Sequence, residues 1–437
     1  MGNNNYLAAI DLGTTKVVAI IGKRNPNGKL QITGCSTAQS TGIKRGEVLN
    51  IEETVKSIQS TIEEVKMKSG VIFDDVYVGI AGQHIRSVRS SGYITRDNPD
   101  EMIGTEDVQK LIDDMYKISI DPGEEILHVL PQNFIVNNEN GIKNPIGMSG
   151  QRLEANFHIV IGKTMSARTI ERCIERVGLK ASDLILEPLA SAEAVLTDDE
   201  KEAGVALIDI GGGTTDLAIF YDGIVRHTAV IPFGGNMITN DIKEGCQILL
   251  RQAESLKLQF GSALGDIAPE DKIVTIPGIS GREPKEISFK NLAYIIQSRM
   301  EEIIERVAFE IDNSGYAEKL GAGIVLTGGG ALLKHLPQLV KFKTGYDVRI
   351  GYPNEHLVAD TPEDINVPEL STSIGLLLKG FEQVETIKRL RGSENEFEEV
   401  ETPQTETQIK REVKKVGMIE SFKRKFTAIF EENDAEM

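Results

Sequence analysis

Residues 205–223 read VALIDIGGGTTDLAIFYDG, and residues 7–22 read LAAIDLGTTKVVAIIG. Each is an apolar run ending in an aspartate (Asp209 or Asp11), then a turn of glycine and threonine, then a second apolar run. Two apolar runs joined by so short a turn predict a β-hairpin. The turn glycines are Gly13 in the first copy and Gly211, Gly212 and Gly213 in the second. They let successive backbone N–H groups point at one spot, and such a row binds anions. Thr14, Thr15, Thr214 and Thr215 add hydroxyl donors for phosphate oxygens. A single hairpin of this kind is commonplace. A second copy with the same residues in the same order is not, and it predicts two related halves around a nucleotide cleft.

The acidic residues complete the chemistry. A carboxylate repels a phosphate, so Asp11 and Asp209 suit a Mg²⁺ ion between them and the phosphates, held through ordered water that Mg²⁺ gives up reluctantly. Asp209 is also a candidate to polarise an attacking water. Lys16 follows the first turn as a point cation for phosphate charge, and Asp216 follows the second. The expected ligand is ATP with Mg²⁺. A third glycine cluster, Gly328, Gly329 and Gly330 in IVLTGGGALLKHL, reads as strand, turn and a helix opening at Ala331. A helix start offers free N–H groups to an anion, although this pattern fits many α/β folds.

Composition narrows the classes. A chain of 437 residues exceeds one ordinary core, so two or more domains are expected. The formal net charge of -18 argues against broad binding to nucleic acid. Cys35, Cys173 and Cys246 are scattered without CxxC spacing, which predicts reduced thiols and neither disulfides nor a zinc site. No secretory pattern opens the sequence, and no apolar run approaches the ~20 residues that span a bilayer. Membrane contact would then be peripheral.

The two hairpins and the later glycine turn, in this order, resemble the actin, Hsp70 and sugar-kinase superfamily. That resemblance implies an α/β, actin-like two-domain fold with ribonuclease-H-like halves, in which the hairpins are phosphate loops and Gly328–Gly330 the adenosine motif. LILEPLASAEAVL (184–196) resembles the first connecting helix, which would place Glu187 near water at the terminal phosphate; alternatively, Glu187 is a carboxylate that complements a helix N-terminus. RQAESLK (251–257) resembles the helix whose Glu254 and Lys257 approach ribose and adenine. Three apart on a helix, these two could equally form a plain surface pair.

Between residues 84 and 159 the chain departs from the plain superfamily pattern. TEDVQKLIDDMYKI, ILHVLPQNFIV (126–136) and GIKNPIGMSGQRLEANFHIV (141–160) resemble the extra subdomain 1C of the FtsA family of bacterial cell-division proteins, and PFGGNMITNDI (232–242) its entry into subdomain 2B. His128, inside this segment, reads as a structural histidine because no second ligand pair is near it in sequence. The resemblance implies subdomain 1A at 5–83 and 160–196, 1C at 84–159, 2A at 197–230 and 315–390, and 2B at 231–314.

The tail changes character. Residues 391–416 are polar and acidic at first, which predicts a flexible linker, and 417–432 follow as an amphipathic helix. Ile419, Phe422, Phe426, Ile429 and Phe430 fall on one helical face, while Lys423 lies at its polar border. Seven basic against two acidic residues between 410 and 425 suit an anionic membrane surface; a protein groove would accept the same face.

The family resemblance implies a protein on the inner face of the cytoplasmic membrane at the division site. It would tether polymers of the tubulin-like protein FtsZ, recruit other divisome proteins and assemble with itself into filaments, with slow ATP turnover acting as a switch. FtsZ's C-terminal peptide would dock on 2B, where Arg299 and Arg306 lie seven apart on one helical face; a solvated charged face is the plainer alternative. Two rivals share the phosphate loops: a pilus-assembly adaptor, and a small-molecule kinase, for which no acceptor-binding segment is evident.

Overall fold

The computed structural model describes residues 6–278 and 283–398. These residues divide into two compact units, one formed by those within 6–87 and 162–378 and the other by 88–161 with 379–398.

In the first unit the repeated hairpin becomes a repeated sheet. Tyr6–Leu12 pairs antiparallel with Lys16–Arg24, which pairs antiparallel with Leu30–Gln39. On its other side Tyr6–Leu12 runs parallel to Asp75–Ile80, and that strand runs parallel to Lys180–Leu186. The second sheet has the same plan. Val205–Ile210 takes the central place, with Thr215–Tyr221 and Ile224–Ile231 antiparallel on one side and Gly323–Thr327 and Val348–Ile350 parallel on the other. Every residue of Val205–Ile210 is buried, the pattern of a strand covered on both faces.

Helices cover these sheets for reasons visible in their sequences. Ile51–Ser69 starts where the Asn50 side chain accepts the Glu53 N–H, and ends at Gly70 in the left-handed conformation. Thr54, Val55, Ile58, Ile62 and Val65 recur every three or four residues and are buried. Phe289–Ser314 is capped by Ser288 and closed by left-handed Gly315 in the same manner. Its Leu292, Ile296, Met300, Ile303 and Val307 enter a core shared with Ile208, Leu326 and Leu339.

The second unit, taken by itself, is a four-stranded sheet in the order Arg86–Thr95, Arg152–Lys163, Glu124–Val136, Glu139–Ile142. The helix Thr105–Met115 contributes Val108, Leu111 and Ile112 to a core with Phe134, Leu153 and Phe157. Arg96 is buried there. Its guanidinium donates to the carbonyls of Glu101, Gly150 and Met102 and pairs with Asp107 at 2.9 Å, which ties the loop to the helix start. His128 is also buried in this unit.

Two expectations change. The Gly328–Gly330 turn does not open an α-helix at Ala331. A 3-10 turn, Gly329–Leu332, comes first, and the α-helix Leu336–Thr344 begins after His335, with a proline in its first turn. Pro337 fits a first helical turn, where no N–H is needed. Further on, helical backbone continues to Glu398 although a linker was expected from 391. Arginine and glutamate are good helix formers, and extending an existing helix needs no new nucleus. The expected membrane segment, with Ile419, Phe422, Lys423, Phe426, Ile429 and Phe430, lies outside the described residues.

Candidate nucleotide site

The central strands of the two sheets each end in a threonine turn, and the turns meet. A Cβ placed on Gly212 would lie 1.9 Å from Thr15 Oγ1, and one on Gly213 would lie 2.4 Å from Thr14 Oγ1. Only glycine permits that approach. The first turn is braced by Thr14 Oγ1, which accepts the Gly46 N–H at 3.2 Å, and by the tightness of Gly13, whose Cβ would strike the Lys16 carbonyl. The second is closed by Gly211 N–H to the Thr214 carbonyl at 3.0 Å. Gly328 packs against Asp209, at a positive φ of 79°, where a Cβ would be 2.2 Å from Asp209 Oδ1. Gly330 lies against Ile210, and Gly329 beside Glu369. All three glycine clusters therefore converge.

Four carboxyls gather beneath the turns. Asp11, Asp209 and Asp216 are buried, and Glu187 is the first residue of the helix Glu187–Val195, against Gly79. Burial pushes Asp11 up to about 6, against the pull of Lys16. Burial raises Asp209 as well, opposed by the hydroxyls of Ser191 and Thr372. Asp216 is driven well above the carboxylate range by burial and by Asp209, and Glu187 by burial and by Asp11, Asp216 and Asp209. Lys16 sends its Nζ to the Glu369 carbonyl at 2.8 Å and is the cation of this acidic group.

The donor set fits a magnesium ion carried in with phosphates. Among the described residues Asp216 Oδ1 is buried with no hydrogen-bond partner, and its Oδ2 accepts from Thr214 Oγ1 at 3.3 Å. Among the described residues no cluster of His, Cys, Asp and Glu is spaced to hold a metal by direct ligation. Asp11 and Asp209 are the residues that would hold the magnesium ion.

Glu254 and Lys257 pair at 2.8 Å, and Lys257 also donates to the Gly235 carbonyl at 3.0 Å and to Thr239 Oγ1 at 2.8 Å. The pair is thereby fastened to the start of the helix Gly235–Cys246. Gly234, just before it, contacts the second phosphate turn, where a Cβ would sit 2.6 Å from the Gly211 carbonyl.

Sequence reasoning missed the hydroxyls. Ser191 donates to Asp209 Oδ2 at 2.6 Å, Thr372 to the same oxygen at 3.1 Å, and Ser373 to Asp11 Oδ2 at 3.1 Å. Ser371 meets Thr327 at 2.7 Å. The only hint was the run Ser371-Thr372-Ser373 after Pro368, an ordinary helix-start composition.

Arg299 and Arg306 occupy the Phe289–Ser314 helix, but their surroundings differ. Arg299 is engaged by Asp241 through Nε at 2.6 Å and Nη2 at 3.0 Å, and it also pairs with Glu302. Arg306 is exposed. On the same helix, Asn291, Tyr294 and Ile295 line a groove of about 720 Å³ with Cys246, Gln247 and Lys285.

The family model for cell division protein FtsA matches residues 206–375, and that for the SHS2 domain inserted in FtsA matches 82–161. The chain is 39% identical over 381 residues to cell division protein FtsA of Pseudomonas aeruginosa, covering 87% of this chain and 90% of that one. To the Escherichia coli K12 protein of the same name it is 34% identical over 403 residues, covering 90% and 95%. In fold it is similar to a chain of the PilM-PilN type IV pilus biogenesis complex, with a TM-score of 0.63, 14% identity and coverage of 86% and 98%. It also resembles MreB 5 of Spiroplasma citri bound to AMPPNP, with a TM-score of 0.55, 15% identity and coverage of 90% and 100%. The fold is actin-like, as the repeated sheets imply.

Proposed function

Because the chain belongs to the FtsA family of cell-division proteins, we propose that it binds ATP with Mg²⁺ between its two threonine turns and uses that binding as a switch on a membrane-bound division polymer. The observation that carries the reading is the meeting of Thr14-Thr15 with Gly212-Gly213 beside three buried aspartates, Asp11, Asp209 and Asp216.

In this reading the turn N–H groups and threonine hydroxyls cradle the phosphates, as an anion nest does. The metal, when bound, neutralises phosphate charge and polarises the terminal phosphoryl group. Asp11 and Asp209 would hold the hydrated metal, and Lys16 offsets the negative charge of the cluster. Glu187, its carboxyl pushed well above the usual carboxylate range by burial and by the nearby aspartates, orients water beside the terminal phosphate, and Asp209 accepts a proton from that water. Glu254 and Lys257 face the nucleoside side through the Gly235 turn.

The partners follow from the family. Self-assembly would put the nucleotide state under the control of neighbouring protomers. The groove beside Tyr294 and Ile295, with Arg306 exposed further along the same helix, supports docking of an acidic peptide such as FtsZ's C-terminal segment. The amphipathic segment 417–432 would hold the assembly on anionic lipid at the division site and so bring later divisome proteins there. Among the described residues no helix is long and apolar enough to cross a membrane.

Co-sedimentation of the full chain with FtsZ and anionic vesicles tests the tether. Both should pellet with wild type, and Phe422→Glu with Phe426→Glu should abolish pelleting while ATP binding persists. Vesicle binding without recruitment of FtsZ would favour an adaptor of the pilus-assembly kind instead.

A further inference from the structure

The two aspartates beside the phosphate turns belong to different sheets, yet neighbouring residues of one helix hold them. Ser371–Glu398 begins at the cleft. Thr372 Oγ1 donates to Asp209 Oδ2 at 3.1 Å and Ser373 Oγ to Asp11 Oδ2 at 3.1 Å. Ser191, on the other connecting helix, adds a bond of 2.6 Å to Asp209 Oδ2 and lies 2.9 Å from Thr372 Oγ1. Ser373 is wholly buried, as is Ser191. Each aspartate is thus gripped by the same oxygen, Oδ2. Among the described residues no hydrogen bond is made to Oδ1 of either one.

An ionised carboxyl has about four lone-pair sites. Bonds to Oδ2 consume some of them and fix the plane of the group, which aims Oδ1. We propose that Thr372 and Ser373, with Ser191, are positioning residues that aim Asp11 and Asp209 at the hydrated cation of a metal–nucleotide complex. The proposal rests on the nucleotide reading above and deepens it. It assigns metal dependence to three hydroxyls whose hydrogen bonds reach the two aspartates. The logic is that of outer-shell groups in metal sites, which orient the ligands they bond and whose loss weakens metal affinity roughly 10–100-fold. Because both aspartates answer to adjacent positions of one helix, a change in the separation of the two sheets misaligns both together.

The test compares nucleotide affinity with and without the metal. A fluorescent ATP analogue is titrated into the full chain in Mg²⁺ and, separately, in EDTA, for wild type, Thr372→Val, Ser373→Ala and the rescue variant Thr372→Ser. The expected result is a loss of about 10-fold in Mg²⁺ for Thr372→Val and for Ser373→Ala. Affinity in EDTA should stay unchanged, and Thr372→Ser should return to wild type. Equal weakening in both conditions, or no weakening in either, would overturn the proposal while leaving wild-type binding intact. A wild type that binds nucleotide in neither condition would instead remove the nucleotide reading, and this proposal with it. If Thr372→Val fails to fold, Ser373→Ala alone decides, since it only deletes an oxygen.

Discussion

Gly375 lies so near the carbonyl of Ala190 that a Cβ on it would sit 1.7 Å from that oxygen. These residues belong to the helices Ser371–Glu398 and Glu187–Val195, which carry the hydroxyls and Glu187 into the site. Their backbones touch one turn or less from the residues that bond Asp11 and Asp209.

Gly375→Ala should therefore force the two helices apart. Overpacking of this kind costs about 1–3 kcal/mol, sometimes more. The expected result is a lower melting temperature and a weaker Mg²⁺-dependent nucleotide affinity. A variant that melts and binds like wild type would show that the crossing gives way freely.

Gly212→Ala acts on the phosphate turns themselves. Its methyl would collide with Thr15 Oγ1, so the turns must part, and ATP affinity should fall at least 10-fold by fluorescence titration. The clash is with one side chain, so melting should change little. Adding Thr15→Ala should recover part of the loss, and its failure to do so would place the fault in the backbone of the turn.

Glu187 sets a pH dependence. Its pKa in the fold stands well above the ordinary 4.5, mainly through burial. Between those two values the folded chain keeps a proton that the unfolded chain releases, so stability falls as pH rises through that window. Glu187→Gln should flatten this decline and raise the melting temperature at neutral pH, while slowing any ATP hydrolysis. Thermal melts of both proteins from pH 5 to 8 measure it; parallel profiles would contradict the assignment.

The two arginines of the Phe289–Ser314 helix should separate experimentally. Arg299 is held by Asp241 and Glu302, so Arg299→Glu confronts two acids and should destabilise the fold by at least 1 kcal/mol, a charge-assisted hydrogen bond being worth about 1.5–3 kcal/mol. Arg306→Glu should leave melting unchanged and weaken binding of an acidic peptide several-fold by anisotropy. Equal effects on stability would remove the distinction.

The two glycine–threonine turns were legible because their residues are local. Asp, Gly and paired Thr stand within a few residues of one another, and Gly212 tolerates a neighbour's hydroxyl where any side chain would not. The helix faces were legible too, since Ile58, Ile62 and Val65 bury one stripe by their spacing alone. The start of the helix after Gly330 was not, because tertiary packing of Gly328 and Gly330 against Asp209 and Ile210 shapes that turn, and local composition carries no sign of it. The surroundings of Arg299 were not legible for a related reason: its spacing to Arg306 was visible, but Asp241, 58 positions away, was not.

By itself the sequence determined a duplicated hairpin, the candidate phosphate residues and the family resemblance, all of which rest on contiguous residues and their order. Only the tertiary structure decided which groups share a site. Ser373 and Asp11 are 362 positions apart, and Ser191 and Thr372 are 181 apart. No pattern of neighbours encodes such pairs. They exist because the folded chain brings hydroxyls of two helices onto carboxyls that belong to two different sheets.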